Sequence, residues 1–352
     1  MKNKDFQGEL SLMEDIGGRA RGRLVLGERL KDVKTLIEAA SFDLRGRYGR
    51  VPYPIHLKGT GLRYEGRTLS TQSLEGTVGR SVFEPLSISL EWGNPSLIEI
   101  QSHNAVRIDL DEVHPWLLTY LQIQRALVSV ESLKGVITIR EASLRGPLME
   151  PGRWTYGVEA DVGGASLGHQ FFPDLVHISS GRLQWTPGRL VLNGCESAFL
   201  DAAVSVSGSL DFPMGVLAST DLQISGSLAS RAMEWVSDRA ELPEDFRIRG
   251  PVTLSKCRFS WNRDRRIAFS GGVAQAGGPR VDLHLRSQPG ELDISRLVVT
   301  DRDSSGTFSI ARRDGRVDLT FEGVLASATL DQLLLGNQLL EGSVRGSFQS
   351  TI

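Results

Sequence analysis

The sequence predicts a mainly-β protein: a long curled antiparallel β-sheet, a taco-like β-groove, with a few short amphipathic helices. Three observations carry that reading. Apolar and polar residues alternate with period two along most of the 352 residues, brief turn signals separate the alternating runs, and one glycine-centred pentad recurs within them.

The alternation is plainest near the C-terminus. In GPRVDLHLRS, Val281, Leu283 and Leu285 share one face of a strand, and Asp282, His284 and Arg286 share the other. GRVDLTFEG repeats this with Val317, Leu319 and Phe321 against Asp318, Thr320 and Glu322. The runs FRIRGPVTL (246–254), AAVSVSGSL (202–210) and LSISLEW (86–92) read the same way. Turns are marked by Gly93-Asn94-Pro95, Thr186-Pro187-Gly188, Ser287-Gln288-Pro289-Gly290 and Arg313-Asp314-Gly315. Many strands joined by such brief turns make an antiparallel meander with one apolar and one wet face.

The pentad has the form apolar-x-Gly-(Ser/Thr/Pro)-apolar. It occurs as VSGSL from Val206, ISGSL from Ile224, LEGTV from Leu74, LRGPL from Leu144, IRGPV from Ile248, LEGSV from Leu340 and VRGSF from Val344. Looser forms start at Leu44, Leu133, Phe269 and Phe321. Positions i, i+2 and i+4 of a strand share a face, which puts Gly208 with Val206 and Leu210, and Gly226 with Ile224 and Leu228. These glycines are therefore expected to line the inside of the curled sheet, leaving room for curvature or for something lying across it. A β-bulge or bend in an ordinary sandwich is the alternative.

Three segments carry helical spacing instead. Asp111–Val130 places Val113, Leu117, Tyr120 and Leu127 on one side behind an Asp111 cap. Ser230–Ala240 does so with Met233, Val236 and Ala240 before Pro243, and Thr329–Leu335 opens with Thr329-x-x-Gln332, a capping-box arrangement. A pentad follows each helix, so one elongated segment over 1–352 is expected, with loose repeat units at 1–132, 133–247 and 248–352.

Motifs that would carry chemistry lack their context. Gly164-Ala-Ser166-Leu-Gly168 matches the nucleophile-elbow pattern, but it lies in a meander and reads better as a glycine-rich turn. Asp301-Arg-Asp303-Ser-Ser305-Gly306 resembles half of a calcium loop, yet Arg312 stands where a bidentate Glu belongs, so an Asx-type turn is expected. Asp109, Asp111 and Glu112 read as a strand end and helix cap. The His residues at 56, 103, 114, 169, 177 and 284 form no metal spacing, and no Gly-rich phosphate loop accompanies the GTG at 59–61. No catalytic residue, metal or cofactor is expected. The net charge of −2 gives no field that draws nucleic acid, and the clusters Arg19/Arg21/Arg23 and Arg263–Arg266 read as solvated strand faces. Cys195 and Cys257 read as two buried thiols rather than a disulfide. No apolar run approaches the ~18 residues of a membrane span, and no secretory h-region follows Met1. SVRGSFQSTI ends inside a strand pattern, and the chain is expected to be an internal or C-terminal segment of a longer protein.

The stretch Ser230–Trp261, SRAMEWVSDRAELPEDFRIRGPVTLSKCRFSW, resembles the AsmA-like superfamily of Gram-negative envelope proteins (the AsmA, TamB and YhdP type). The likeness lies in a short amphipathic helix, a Leu-Pro, a strand with apolar-x-Gly-x-apolar and a further alternating strand. Thr329–Phe348 resembles the same unit, and Asp111–Ile139 does so more faintly. The resemblance implies a periplasmic groove with an apolar interior. Its role would be to move phospholipid between the inner and outer membranes, with inner-membrane anchoring through an upstream transmembrane helix. Membrane proteins of either membrane would be its partners.

Physical chemistry supplies a parallel expectation. An apolar sheet face needs a cover, and short helices cover few strands, so a second sheet or bound hydrocarbon must do the rest. An acyl chain of about sixteen carbons, at ~0.8 kcal/mol per methylene, offers on the order of 10 kcal/mol. The expected groove lining is Val206, Gly208, Leu210, Ile224, Gly226, Leu228, Ile248, Val252, Val281, Leu283, Leu285, Val317, Leu319 and Phe321. The competing readings are a non-enzymatic scaffold for outer-membrane protein assembly that binds through a strand edge, and a β-sandwich binding module. Against a carbohydrate module, Trp92, Trp154, Trp185 and Trp261 lie in alternating strands without clustering.

Overall fold

The period-two alternation does become strand. The computed structural model describes residues 8, 11–25, 36–120, 124, 127–148 and 150–351, and twenty strands occupy most of them. Every described pairing is antiparallel, and with few exceptions each strand pairs with its neighbours in sequence. No helix of the described residues is long and apolar enough to cross a membrane. The chain forms two compact units, 1–171 with 182–187 and 172–181 with 188–352.

The first unit contains β1 (Met13–Val25), β2 (Leu36–Tyr48), β3 (Val51–Glu65), β4 (Thr68–Val78), β5 (Ser81–Glu91), β6 (Leu97–Ser102), β7 (Val106–Asp109), β8 (Val130–Pro147) and β9 (Thr155–His169). Between β5 and β8 the sheet position is shared: β6 and β7 each pair with both strands, interrupted at 103–105. Helix α1 (Leu110–Leu117) follows β7. Its cap is Asp109, not the expected Asp111: the Asp109 carboxylate accepts the Glu112 N–H, while Asp111 accepts the Gly135 N–H. β7 runs directly into the helix, so its last residue doubles as the cap. Of the expected Asp111–Val130 helix, residues 118–120 are turn, and 121–123, 125 and 126 lie outside the described residues. Arg80 in the β4–β5 turn joins Asp109 (3.0 Å) and Glu112 (3.1 Å), fixing that turn to α1. Asp109 thus caps the helix, while Glu112 holds Arg80 and Asp111 ties the helix to β8. The GxSxG segment is not a turn: Ser166 and its flanking glycines lie within β9, where the β8 register slips between Lys134 and Val136.

Strand β10 (Val176–Thr186) divides between the units. The second unit continues with β11 (Arg189–Phe199), β12 (Ala202–Asp211), β13 (Ser219–Leu228), β14 (Val252–Asn262), β15 (Ile267–Gln275), β16 (Arg280–Gln288), β17 (Glu291–Thr300), β18 (Ser305–Arg313), β19 (Arg316–Ala326) and β20 (Ser343–Thr351). Helix α2 (Ser230–Arg239) lies between β13 and β14, and α3 (Ser327–Leu333) between β19 and β20. Six strands therefore separate α1 from α2, and six separate α2 from α3.

Both second-unit helices borrow their caps from neighbouring turns. The Asp201 carboxylate accepts the N–H groups of Arg231 (2.9 Å) and Ala232 (2.8 Å) at the start of α2. Thr329 is not the capping residue of α3 but a fully buried interior residue. Its hydroxyl meets Ser304 Oγ at 2.7 Å, and Ser304 Oγ in turn accepts the Ala326 N–H. The expected turn at 301–304 is present, closed by Asp301 N–H donating to the Ser304 carbonyl. The stretch FRIRGPVTL is strand only from Val252. Residues 244–246 form a 3-10 turn, and Ile248 makes an isolated bridge to Leu334.

Three strands of this unit, spaced three apart, carry one extra residue, while β20 pairs with β19 without one. β11 bulges at 193–194, β14 at 255–256 and β17 at 295–296, each against a single residue of the neighbouring strand. A bulge bends its strand and raises the local twist, so the bends recur at a regular interval.

Candidate functional site

The second unit gathers its apolar residues into rows that cross the strands. One row runs Leu192, Gly208, Leu222, Phe259, Phe269, Leu285, Ile294, Ile310, Leu319 by direct cross-strand register from β11 to β19. At ~4.8 Å per strand this row is about 38 Å long. A parallel row includes Cys195, Val206, Ile224 and Cys257, then Leu283, Leu297, Phe308, Phe321 and Phe348. A third joins Gly226, Leu254, Val273, Val281, Val299 and Gly306.

Cover is uneven along this face. Near the helices it is closed: Val281, Val299, Phe321 and Leu325 pack with Leu330, Leu333 and Leu334 around α3, with Ile248 against the same cluster. Val252 is also buried, at 2% exposure. Toward the turns it is only half-buried, as at Leu222, Phe259, Leu285, Ile294, Ile310 and Leu319. A sandwich core buries such side chains; within this unit no second layer does so among the described residues.

Of the expected lining residues, Val206, Leu210, Ile224, Leu283, Leu285 and Leu319 lie in this half-buried part. Leu228 pairs with Val252 toward the α2 end. Ile248, Val281 and Phe321 belong to the cluster covered by α3 instead, and Val252 is buried where it pairs with Leu228. Val317 falls in a row interrupted by Ser287 and Arg312, where the apolar face gives out.

The pentad glycines have a different reason from the one expected. Gly208 and Gly226 hold φ of +141° and +137°, a region for glycine. A Cβ there would lie 2.1 Å from the Asp221 carbonyl oxygen and 2.2 Å from that of Ala203, inside the adjacent strands. These glycines satisfy the backbone; they open no space above the sheet. Other glycines make sockets for a neighbour's side chain. A Cβ at Gly271 would stand 2.6 Å from Cys257 Sγ, one at Gly181 2.6 Å from Cys195 Sγ, and one at Gly306 2.9 Å from the Phe321 ring.

Residues missed by the alternation include Phe259, Trp261, Leu297 and Val299. The bulges at 255–256 and 295–296 shift the apolar phase by one, so apolar spacing changes from two to three: Leu254 then Cys257, and Ile294 then Leu297. A spacing of three inside a period-two run is the signal that finds them.

The opposite face is wet and internally neutralised. Arg258 meets Asp221 at 2.6 Å and Arg280 meets Asp282 at 3.0 Å. These guanidinium hydrogen bonds hold the carboxyls of Asp221 and Asp282 below the usual carboxylate range. A trough of ≈ 480 Å³ over β17–β20 is lined by Ser295, Thr307, Ser309, Thr320, Glu322, Ser347 and Gln349 together with Phe308, Phe321 and Phe348. Neither Cys195 nor Cys257 is in a disulfide, and both are buried. Among the described residues no three His, Cys, Asp or Glu side chains are grouped to hold a metal.

Comparison of the chain with family models, curated proteins and solved structures returns no match.

Proposed function

We propose that the half-buried apolar face of the second unit binds the acyl chains of phospholipid and lets them move along it, in a periplasmic protein supporting lipid transport between the inner and outer membranes. The observation that carries this reading is the set of continuous apolar rows that no second layer of the same unit covers among the described residues. Hydrocarbon contact is non-directional, so a chain can slide along a row without breaking a specific bond. Envelope placement, and anchoring at the inner membrane, rest on the AsmA-like resemblance of Ser230–Trp261. On this reading the protein acts as a conduit and performs no chemistry.

Site-specific photo-crosslinking tests it. A crosslinker at Leu283 or Leu319 is expected to yield lipid adducts, and one at Asp282 or Asp318, on the wet face, is not. Equal adducts from both pairs, or none from either, would remove the support.

A scaffold that binds an envelope protein through a strand edge is the second reading. β20 pairs with β19 alone among the described residues, and Phe348 is 44% exposed on it. Crosslinks from Phe348 to protein rather than lipid would favour that reading.

A further inference from the structure

The antiparallel order of β11–β20 sends its connections alternately to two ends of the second unit, and the ends differ. At one end lie α2, α3 and the turns at 200–201, 276–279 and 301–304. The other end bears only short connections: 187–188, 212–218, 263–266, 289–290 and 314–315. Counting each connection with its flanking strand residues, the helix end holds ten carboxylates against six arginines, and the bare end six arginines against four carboxylates. The net charges are therefore −4 and +2.

The bare end also presents apolar side chains to water. Val216 is 55% exposed and Leu217 is 40% exposed, at the tip of the 212–218 loop. The next turn, Asn262–Arg266, is tied to that tip: the Arg263 N–H donates to the Ala218 carbonyl and Arg263 Nε to the Leu217 carbonyl, both at 3.0 Å. Arg263, Arg265 and Arg266 are exposed around the loop, with Asp264 as the one carboxylate between them. The expected reading of this Arg cluster as a strand face does not hold. It forms a turn, because Arg265 takes φ +57° and Asn262 Oδ1 accepts the Arg266 N–H.

We infer that the bare end of the second unit docks on an anionic phospholipid surface. Val216 and Leu217 enter the interfacial region, and Arg263, Arg265 and Arg266 sit among the phosphates. Two exposed aliphatic side chains inside an arginine rim match such a surface in both polarity and charge. A nucleic acid would gain nothing from the aliphatic tip, and the acidic helix end is repelled by the same membrane. This inference goes beyond the acyl-binding reading and does not depend on it.

Flotation of the purified chain with vesicles tests it. Binding is expected to vesicles of phosphatidylcholine with about one-third phosphatidylglycerol, and to fall steeply with salt. Arg265→Glu with Arg266→Glu is expected to weaken it by at least about thirtyfold. The matched pair Arg231→Glu with Arg302→Glu, at the helix end, carries the same charge change and is expected to leave it within about twofold. All four side chains are exposed, so circular dichroism should be unchanged in both variants. A fluorophore at Val216→Cys should shift to the blue only with the anionic vesicles. Equal loss from both charge pairs, equal binding to pure phosphatidylcholine, or an unshifted fluorophore would each overturn the inference. Lipid crosslinking at Leu283 is read separately, so either proposal can fail while the other stands.

Discussion

Replacing Phe321 and Gly306 singly and together measures how the second unit fits its largest buried side chain. Phe321 is 2% exposed, and its ring centre lies 4.8 Å from Phe308 and 5.4 Å from Phe348. Phe321→Ala removes a fully buried ring and is expected to cost about 3–5 kcal/mol, with the aromatic contacts included in that loss. Gly306→Ala places a methyl 2.9 Å from Phe321 Cε2. Overpacking of that kind costs about 1–3 kcal/mol, offset by about 0.4–1 kcal/mol from a less flexible unfolded chain. In the Phe321→Ala background the same methyl enters space the ring has left. The Gly306→Ala step should then become neutral or stabilising, giving a coupling of about 1–3 kcal/mol. Calorimetry or urea unfolding reads this: for a unit of this size ~1 kcal/mol moves Tm by about 2–4 °C, so Phe321→Ala should lower it by roughly 10 °C. If Gly306→Ala costs the same in both backgrounds, the socket explanation is wrong.

Three further outcomes can be checked. Gly226→Ala, which sets a Cβ against the Ala203 carbonyl at positive φ, should destabilise by at least about 1–3 kcal/mol, whereas Gly157→Ala, whose nearest contact is Ser143 Oγ at 3.4 Å, should shift Tm little. Asp201→Ala should cost about 1 kcal/mol by uncapping α2. Partial desolvation raises the Asp201 carboxyl, but the Arg231 and Ala232 N–H groups outweigh it and hold the folded value below the ordinary one. Its contribution is therefore present above about pH 4 and lost as pH falls through the folded value, so the Asp201→Ala penalty should shrink in acid. Burial pushes the Cys257 thiol up, and both native thiols should react with a thiol reagent only on unfolding; rapid reaction in native buffer would contradict their burial.

The sequence made strands legible wherever alternation stayed in phase, as in β16 and β19, and α2 was legible because Met233, Val236 and the following Leu-Pro mark one face and a stop. Other features depend on what a neighbouring strand brings. Asp201 and Ser304 cap helices whose own first residues offer no side-chain cap, and no local pattern announces a cap from a different turn. Thr329 matched a capping box in sequence, yet the helix begins two residues earlier because Ser304 holds the Ala326 N–H. The floor of the apolar face was half legible: Leu283, Leu285 and Leu319 follow from alternation, while Phe259 and Leu297 stand beyond a bulge that inverts it. The glycines at 208 and 226 were conspicuous, but whether a missing side chain opens a face or spares a neighbouring carbonyl is fixed by φ and register, which the pentad does not encode.

The interval between bulges limits how such a chain can lengthen or shorten. Deleting one strand reverses the direction of all that follow. Deleting a hairpin of two keeps direction but throws the bends at β11, β14 and β17 out of step. Deleting three restores the bends while moving the helices to the opposite end. Only a block of six strands, the distance that separates α1 from α2 and α2 from α3, preserves direction, bend and helix placement together. Length in this fold is thus quantised, and a variant lacking β11–β16 with α2, in which bulged β17 takes the place of bulged β11, should keep its apolar rows in register where one lacking four strands should not.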